Sequence, residues 1–286
     1  MKHAYLIIAH HEFEVLQKLI YALDDSRNDI YVHIDKKVRK MPNLEVHFSQ
    51  LFILSDRMDV RWGHVSQIKC EYKLFEKAFQ HGGYTYHHLI SGVHLPLYSQ
   101  DYIHDFFDRN EDANCQFLSS LAQNTCEVTD KLRRYNFFVR NSQHKNSLVR
   151  NIYQRMWWFL ILYQSRLGIL RNRPQEFVKA SNWISLTADA VEYLLLIKKN
   201  VLKKYRLTRC ADEFFVPSEL ENSTEKWNLC FEPRLLKHEI DVANAGTFTM
   251  ADFDRLVKSD CLFARKFSSS DMDVVDKIIA TLPLRK

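Results

Sequence analysis

The chain has 286 residues, of which 46% are apolar and 26% are charged, and its formal net charge is +5. Only six glycines and six prolines occur, so the composition excludes collagen-like, low-complexity and disordered proteins. A chain of this length can bury the core of one large α/β domain, and its mildly basic charge favours anionic partners.

Strand and helix patterns alternate through the first third of the chain. The pattern predicts strands at residues 4–9, 29–35, 51–54 and 84–91, with helices at 12–24 and 64–80. Such alternation is typical of an α/β fold in which a mostly parallel central sheet is flanked by helices.

Polar residues follow the first two predicted strands. His10 lies where the first strand meets its helix, and Asp35 ends the second strand. Ligands of open α/β sheets bind beyond the carboxyl ends of the strands, so both residues indicate a ligand site at one rim. The alternative is that Asp35 only caps a turn, as many aspartates do.

Residues 131–175 form a basic, aromatic segment without Asp or Glu. It contains ten cations: Lys131, Arg133, Arg134, Arg140, Lys145, Arg150, Arg155, Arg166, Arg171 and Arg173. One interpretation is a helical insertion whose aromatic residues pack inward and whose arginines are solvated. The other is a surface that contacts an anionic membrane or a lipid-linked acceptor. We expect no nucleic-acid partner, because no RNP, KH or zinc-finger pattern occurs.

The order of elements resumes after this segment. The pattern predicts a strand at 182–186, a helix at 188–199 capped by Thr187, a short helix at 212–220, a strand near 229–231 and helices at 251–258 and 271–281. The longest apolar run, residues 156–163, is well below the ~20 residues that a membrane span needs. The first residues form a strand pattern rather than a signal peptide. We therefore expect a cytoplasmic protein, peripheral at the inner face of the cell membrane if the basic segment contacts lipid.

The six cysteines are predicted to be separate thiols. They show no CxxC pair and no zinc-finger spacing with histidine. Disulfide frameworks normally belong to small secreted chains, which this chain does not resemble in length.

Common catalytic motifs are absent from the sequence. It has no P-loop, no GxGxxG after the first strand, no GxSxG and no HExxH. Two Asp-x-Asp triplets, at 252–254 and 271–273, belong to predicted late helices, where the helix dipole favours acidic first turns. We predict no metal site.

Two short segments contain groups suited to catalysis. Glu213 follows Asp212 and precedes two phenylalanines, and a carboxylate against apolar rings can have the raised pKa of a general base. Arg265 and Lys266 would point to opposite faces of a strand, so that one of them reaches a bound anion. A solvated ion pair explains each segment alone. Together they suit a reaction that deprotonates a hydroxyl and releases a diphosphate.

Seven segments, taken in order, resemble the core-2/I-branching β-1,6-N-acetylglucosaminyltransferase family, which includes peptide O-xylosyltransferases, and especially its bacterial members. The segments are residues 4–11, 32–37, 60–66, 89–97, 182–186, 212–215 and 262–267. The resemblance implies a GT-A-like glycosyltransferase fold and an inverting, metal-independent transfer. It also implies a UDP-sugar as co-substrate, with GlcNAc expected as the sugar, no cofactor, and a glycan or lipid-linked glycan acceptor.

The resemblance also assigns site residues. Glu213 matches the catalytic base, Lys266 the lysine that stabilises the leaving diphosphate, and Asp35 the aspartate near uridine. The other residues expected at the donor are His10, Arg234 and Arg265, and those expected at the acceptor or donor sugar are Trp62, His94, Arg134, Trp183 and Asp212.

The chain departs from the family pattern at two places. His94 stands where relatives often have aspartate, which leaves the donor open. The counterpart of the family's diphosphate-binding arginine is ambiguous among Arg234, Lys237 and His238. Animal members have a membrane anchor before the catalytic domain; we expect none here, in keeping with a bacterial enzyme of surface polysaccharide synthesis.

We predict one domain over residues 1–286. Residues 1–125 would form the nucleotide-binding half, 131–175 the basic helical insertion, and 176–286 the acceptor and catalytic half. The alternative function is a catalytically degenerate module that binds a nucleotide-sugar or glycan.

Overall fold

The computed structural model describes residues 1–110, 114–121, 123, 125–142, 144–171, 176–238 and 246–285. The strands of these residues are β1 (His3–Ala9), β2 (Asn28–Ile34), β3 (Gln50–Ile53), β4 (Tyr86–Ser91), β5 (His94–Pro96), β6 (Cys115–Ser120), β7 (Ala180–Thr187), β8 (Asn228–Phe231), β9 (Leu236–His238) and β10 (Phe263–Arg265). The α-helices are α1 (Phe13–Leu23), α2 (Ser66–His81), α3 (Gln100–Asp108), α4 (Thr125–Val128), α5 (Ser147–Arg166), α6 (Ala188–Lys204), α7 (Phe215–Glu221), α8 (Phe253–Val257) and α9 (Met272–Thr281).

Seven strands form the central sheet, in the order β3-β2-β1-β4-β7-β6-β8. β1 pairs in parallel with β2 and β4, and only β7 runs antiparallel to its two neighbours. A second sheet has the order β5-β10-β9. The predicted α/β fold, with a mostly parallel central sheet flanked by helices, is confirmed.

The central strands form because apolar residues on both of their faces can be buried. Along β1, Tyr5 and Ile7 face a core covered by α1, α3 and α9. Ala4 and Leu6 face a second core covered by α2, α6 and α7. Full burial of one large aliphatic side chain stabilises the fold by about 1.5–3 kcal/mol, so two cores fix the register of this strand.

Two local predictions differ from the structure. Thr187 precedes α6, but its side chain does not cap that helix and instead accepts a hydrogen bond from Gln116 Nε2 at 2.8 Å. The helix predicted at 212–220 is divided into a 3-10 turn at Ala211–Glu213 and helix α7, because the backbone of Phe214, with a φ of −125° and a ψ of −32°, is not helical. This break separates Asp212 and Glu213 from the helix that follows.

The prediction of six separate thiols is wrong for one pair. Cys115 on β6 and Cys230 on β8 form a disulfide, and their Cα atoms are 5.7 Å apart. These strands are neighbours in the sheet, but the cysteines lie 115 positions apart in the sequence, which therefore does not reveal the pairing. The other four cysteines are free.

The basic segment contains a helix, as predicted. Helix α5 buries Ile161 and Gln164, whereas Trp158 and Phe159 are each 62% exposed. The interpretation in which the aromatic residues pack inward is therefore wrong for the outer face of α5. Arg173 lies outside the described residues. No helix in the described ranges has both the length and the apolar content to cross a bilayer.

Candidate active site

A cavity of about 620 Å³ lies at the carboxyl ends of β1, β2 and β4. Eight of the eleven site residues predicted from the sequence line it: His10, Asp35, Trp62, Trp183, Asp212, Glu213, Arg265 and Lys266. The location agrees with the rule that open α/β sheets bind ligands beyond their carboxyl edge.

Asp35 organises the loop beside the cavity. Its Oδ1 accepts a hydrogen bond from the Lys37 amide at 2.7 Å, and its Oδ2 accepts one from the Val60 amide at 3.1 Å. The Lys37 ammonium lies 3.1 Å from the same carboxylate. Asp35 thus caps a turn and lines the cavity at the same time.

His10 supplies a neutral imidazole to this rim. Burial, together with the neighbouring charge of His11, lowers the pKa of His10 to about 4. At neutral pH the ring can therefore exchange hydrogen bonds with a ligand but carries no charge.

Two buried carboxyl groups form the inner wall of the cavity. Asp212 Oδ2 accepts a hydrogen bond from Gln67 Nε2 at 2.9 Å, and burial with the charge of Glu213 raises the pKa of Asp212 to about 7. Glu71 on α2 also lines the cavity. In the described part of the chain neither of its carboxyl oxygens has a hydrogen-bond partner. Burial, with the charge of Asp212, raises the pKa of Glu71 well above its usual value.

Glu71 was missed by the sequence analysis. The only signal was an acidic residue on the apolar face of α2, between the buried Ile68 and Phe75. An acidic residue on an apolar helix face is unusual, but this pattern does not show that the residue lines a cavity.

Glu213 presents its carboxylate at the edge of the cavity. Its side chain is 31% exposed, and its Oε2 lies 3.7 Å from Lys179 Nζ. The two phenylalanines that follow it are fully buried in the second core and fix the backbone of the turn. The buried phenylalanines therefore fix the position of the Glu213 backbone, and the carboxylate can contact a ligand in the cavity.

Arg265 and Lys266 place two cations in the same cavity. The Arg265 guanidinium lies 4.9 Å from the centroid of the Trp183 ring, and burial lowers the pKa of Arg265 to about 10, so it stays charged at neutral pH. Burial and the charge of Arg265 also lower the pKa of Lys266. Neither residue forms an ion pair with any described residue. Two cations without a counter-ion are suited to bind an anion.

The expectation that these two side chains point to opposite faces is wrong. Both line the cavity. Strand β10 ends at Arg265, so the alternation of strand side chains does not extend to Lys266.

Three predicted site residues do not line the cavity. His94 is fully buried, with Nδ1 2.7 Å from Ser91 Oγ and its ring packed against Trp183. Arg234 pairs with Glu232 at 2.9 Å, and Arg134 pairs with Asp130 at 2.9 Å. Of the three candidates for the diphosphate-binding arginine's counterpart, His238 is the one among the described residues that lines the cavity.

The described residues contain one cluster of potential metal ligands, away from the cavity. It consists of His3, His104 and Asp108. His3 begins β1, at the opposite edge of the sheet from the cavity. The rings of His3 and His104 stack at 4.1 Å with an 18° angle between their planes, so an ion shared by both would lie far out of each ring plane. The cluster is poorly shaped for a metal.

One comparison with known proteins, that with protein-family models, agrees with the sequence resemblance. The model of the family described as Core-2/I-Branching enzyme matches residues 3–273. No curated protein matches the chain. Mouse xyloside xylosyltransferase 1, in its apo form, has a TM-score of 0.39 and 8% identity, with 92% of this chain and 96% of that chain covered. S. aureus TarS, residues 1–349, has a TM-score of 0.26 and 8% identity, with 71% and 66% covered. Structural likeness this weak adds nothing to the family match.

Proposed function

The chain belongs to the Core-2/I-Branching enzyme family of glycosyltransferases, and we propose that it transfers a sugar from a UDP-sugar to a hydroxyl of a glycan acceptor, with inversion and without a metal ion. GlcNAc is the proposed sugar, and a lipid-linked glycan of bacterial surface polysaccharide synthesis, on the cytoplasmic side, is the proposed acceptor. The proposed fold type is GT-A-like.

The observation that carries this proposal is the joint presence of Glu213, Arg265 and Lys266 in one cavity. Glu213 would take the proton of the acceptor hydroxyl as its oxygen attacks the anomeric carbon. The bond from that carbon to the diphosphate would break, and the diphosphate would leave towards the two cations. A positioned base contributes ~10²–10⁴ in rate, and alignment of donor with acceptor contributes further.

The two cations would perform the charge stabilisation that a metal ion performs in other transferases. They are fixed in the folded protein before the reaction, which is the condition under which electrostatic stabilisation of a leaving group is most effective. Trp62 and Trp183 offer aromatic faces against which a sugar ring can pack.

A thermal-shift series with UDP-GlcNAc, UDP-xylose and UDP-galactose tests the donor. A ligand at 100 times its Kd stabilises the folded state by about 2.7 kcal/mol. We expect UDP-GlcNAc to raise the Tm. We then expect UDP to be released when the acceptor is added, even with EDTA in excess. A donor that binds without any UDP release would favour the binding module, and metal-reversible loss of transfer in EDTA would overturn the metal-free mechanism.

A further inference from the structure

The outer face of helix α5 is a continuous apolar surface. Six side chains are between 42% and 73% exposed: Leu148, Ile152, Met156, Trp158, Phe159 and Tyr163. All of them except Trp158 are three or four residues apart, which places these five on one side of the helix, opposite the buried Ile161 and Gln164. Trp158 is exposed on the flank of the helix. The exposed Leu167 and Leu170 extend the surface beyond the helix end.

Cations accompany this apolar face. Arg155 and Arg166 are exposed on it, and neither forms an ion pair with a described residue. Segment 131–175 carries ten Lys and Arg and no Asp or Glu, a charge of +10. The whole chain has a net charge of +5, so the remaining residues sum to 5 − 10 = −5. Positive charge is therefore concentrated on the segment that exposes apolar side chains.

A lone exposed apolar residue is ordinary, but a contiguous patch of this kind marks an interaction site. Charge complementarity selects an anionic partner. Tryptophan and tyrosine are enriched where apolar and aqueous phases meet, and a basic helix with one apolar face lies in that boundary. We propose that α5 lies flat in the surface of an anionic lipid bilayer, with its apolar face in the acyl boundary and its arginines on lipid phosphates.

The inner side of α5 connects this surface to the cavity. The Arg209 guanidinium lies 4.5 Å from the centroid of the Trp157 ring on α5 and 5.7 Å from that of Trp62. Trp62 lines the cavity. The bilayer would thus lie beside the cavity, within reach of an acceptor carried by the membrane. The docking itself goes beyond the proposed transferase function and does not depend on it.

Co-sedimentation of the purified full chain with vesicles tests the docking without any sugar nucleotide. One set of vesicles is phosphatidylcholine alone, and the other also contains phosphatidylglycerol. We expect at least tenfold tighter binding to the anionic set, and weaker binding as salt is added. Arg155→Gln with Arg166→Gln should weaken binding roughly fivefold per arginine, because each cation near such a surface contributes about 1 kcal/mol.

Removal of the apolar contact should have a larger effect. Ile152→Ser with Phe159→Ser should weaken binding to anionic vesicles by more than roughly tenfold, the effect of about 1.4 kcal/mol. Leu196→Ser is the matched control, because Leu196 is 82% exposed on α6. Brominated lipid should quench part of the tryptophan fluorescence of the wild-type chain. This quenched part should be absent from Trp158→Phe, which assigns it to Trp158.

Three results would each overturn the proposal. The first is equal binding to both sets of vesicles or to neither. The second is an absence of Trp158 quenching. The third is a lipid-free dimer in sedimentation velocity that the Phe159→Ser variant abolishes, since a second copy of the chain would then cover this face.

Discussion

The ammonium group of Lys179 lies 3.7 Å from the Oε2 atom of Glu213. Lys179 also pairs with Glu127, 2.8 Å from its Oε1, so one cation joins two carboxylates. No other described residue forms an ion pair or a side-chain hydrogen bond with Glu213. Its carboxylate is therefore oriented by one contact and remains able to accept a proton from a ligand in the cavity.

Glu213→Gln should abolish transfer and preserve donor binding. The amide has nearly the same shape but cannot take the acceptor proton, so the rate should fall by ~10²–10⁴. UDP release measures the rate, and calorimetry with the donor measures the Kd. Glu221→Gln, at the exposed last residue of α7, is the control. Transfer by Glu213→Gln at the wild-type rate would refute the assignment of the base.

The sequence predicted the part of the site that follows directly from strand order. His10 and Asp35 directly follow two adjacent parallel strands, so the geometry of parallel sheets is sufficient to bring them together. It did not predict Glu71, because a helix pattern identifies the buried face and does not show what that face meets. The burial of His94 was equally hidden, because it depends on the antiparallel pairing of β5 with β10.

Long-range contacts account for the other differences. The Cys115–Cys230 pair forms because β6 and β8 are neighbours, and strand order is not readable from either strand alone. The alternation rule failed for Lys266 because β10 ends at Arg265, whereas the apolar residues on both sides of this pair suggest that the strand continues. Short elements such as β5 and β9, of three residues each, have too little pattern to predict.

Lys266→Gln should weaken the binding of UDP. A charged hydrogen bond contributes about 1.5–3 kcal/mol, so the Kd should rise roughly 10- to 100-fold. Because Lys266 has no ion partner among the described residues, the variant leaves no unpaired anion in the free protein. Lys258→Gln, at an exposed lysine, is the control. Calorimetry with UDP and with uridine separates the diphosphate contribution, and an equal loss of affinity for uridine would contradict the role of Lys266.

His87→Leu should reduce the acid sensitivity of the fold. His87 is 2% exposed, neither ring nitrogen has a described hydrogen-bond partner, and burial lowers its pKa from 6.5 to about 4. Between these values the unfolded chain binds a proton that the folded chain does not, so this group removes stability as the pH falls.

Because of this difference in proton binding, His87 lowers the free energy of unfolding by about 2 kcal/mol when the pH falls from 8 to 5. Urea unfolding at the two pH values should show that His87→Leu gains this amount at pH 5 relative to pH 8. A gain of the same size at both pH values would show that His87 stays neutral in the unfolded chain as well, or is charged in both states.

The stability gained by Asp212→Asn should depend on pH in the opposite sense to that gained by His87→Leu. The pKa of Asp212 rises from 3.8 to about 7 on folding, so between these values the folded chain holds a proton that the unfolded chain has released. The stability contributed by this group is therefore full at low pH and is lost as the pH rises from about 4 to about 7. Asparagine carries no charge, and its carbonyl oxygen can still accept the hydrogen bond from Gln67.

Relative to the wild-type chain, Asp212→Asn should thus be about 3 kcal/mol more stable at pH 8 than at pH 5. Urea unfolding at both pH values measures the difference, and Asp254→Asn, which removes an exposed carboxylate on α8, controls for net charge. The sign matters for the site, because a proton held by Asp212 near neutral pH keeps a second negative charge away from Glu213. If Asp212→Asn changed stability equally at both pH values, Asp212 would have to be ionised in the folded protein at pH 5, and the two carboxylates would share the cavity as a pair of anions.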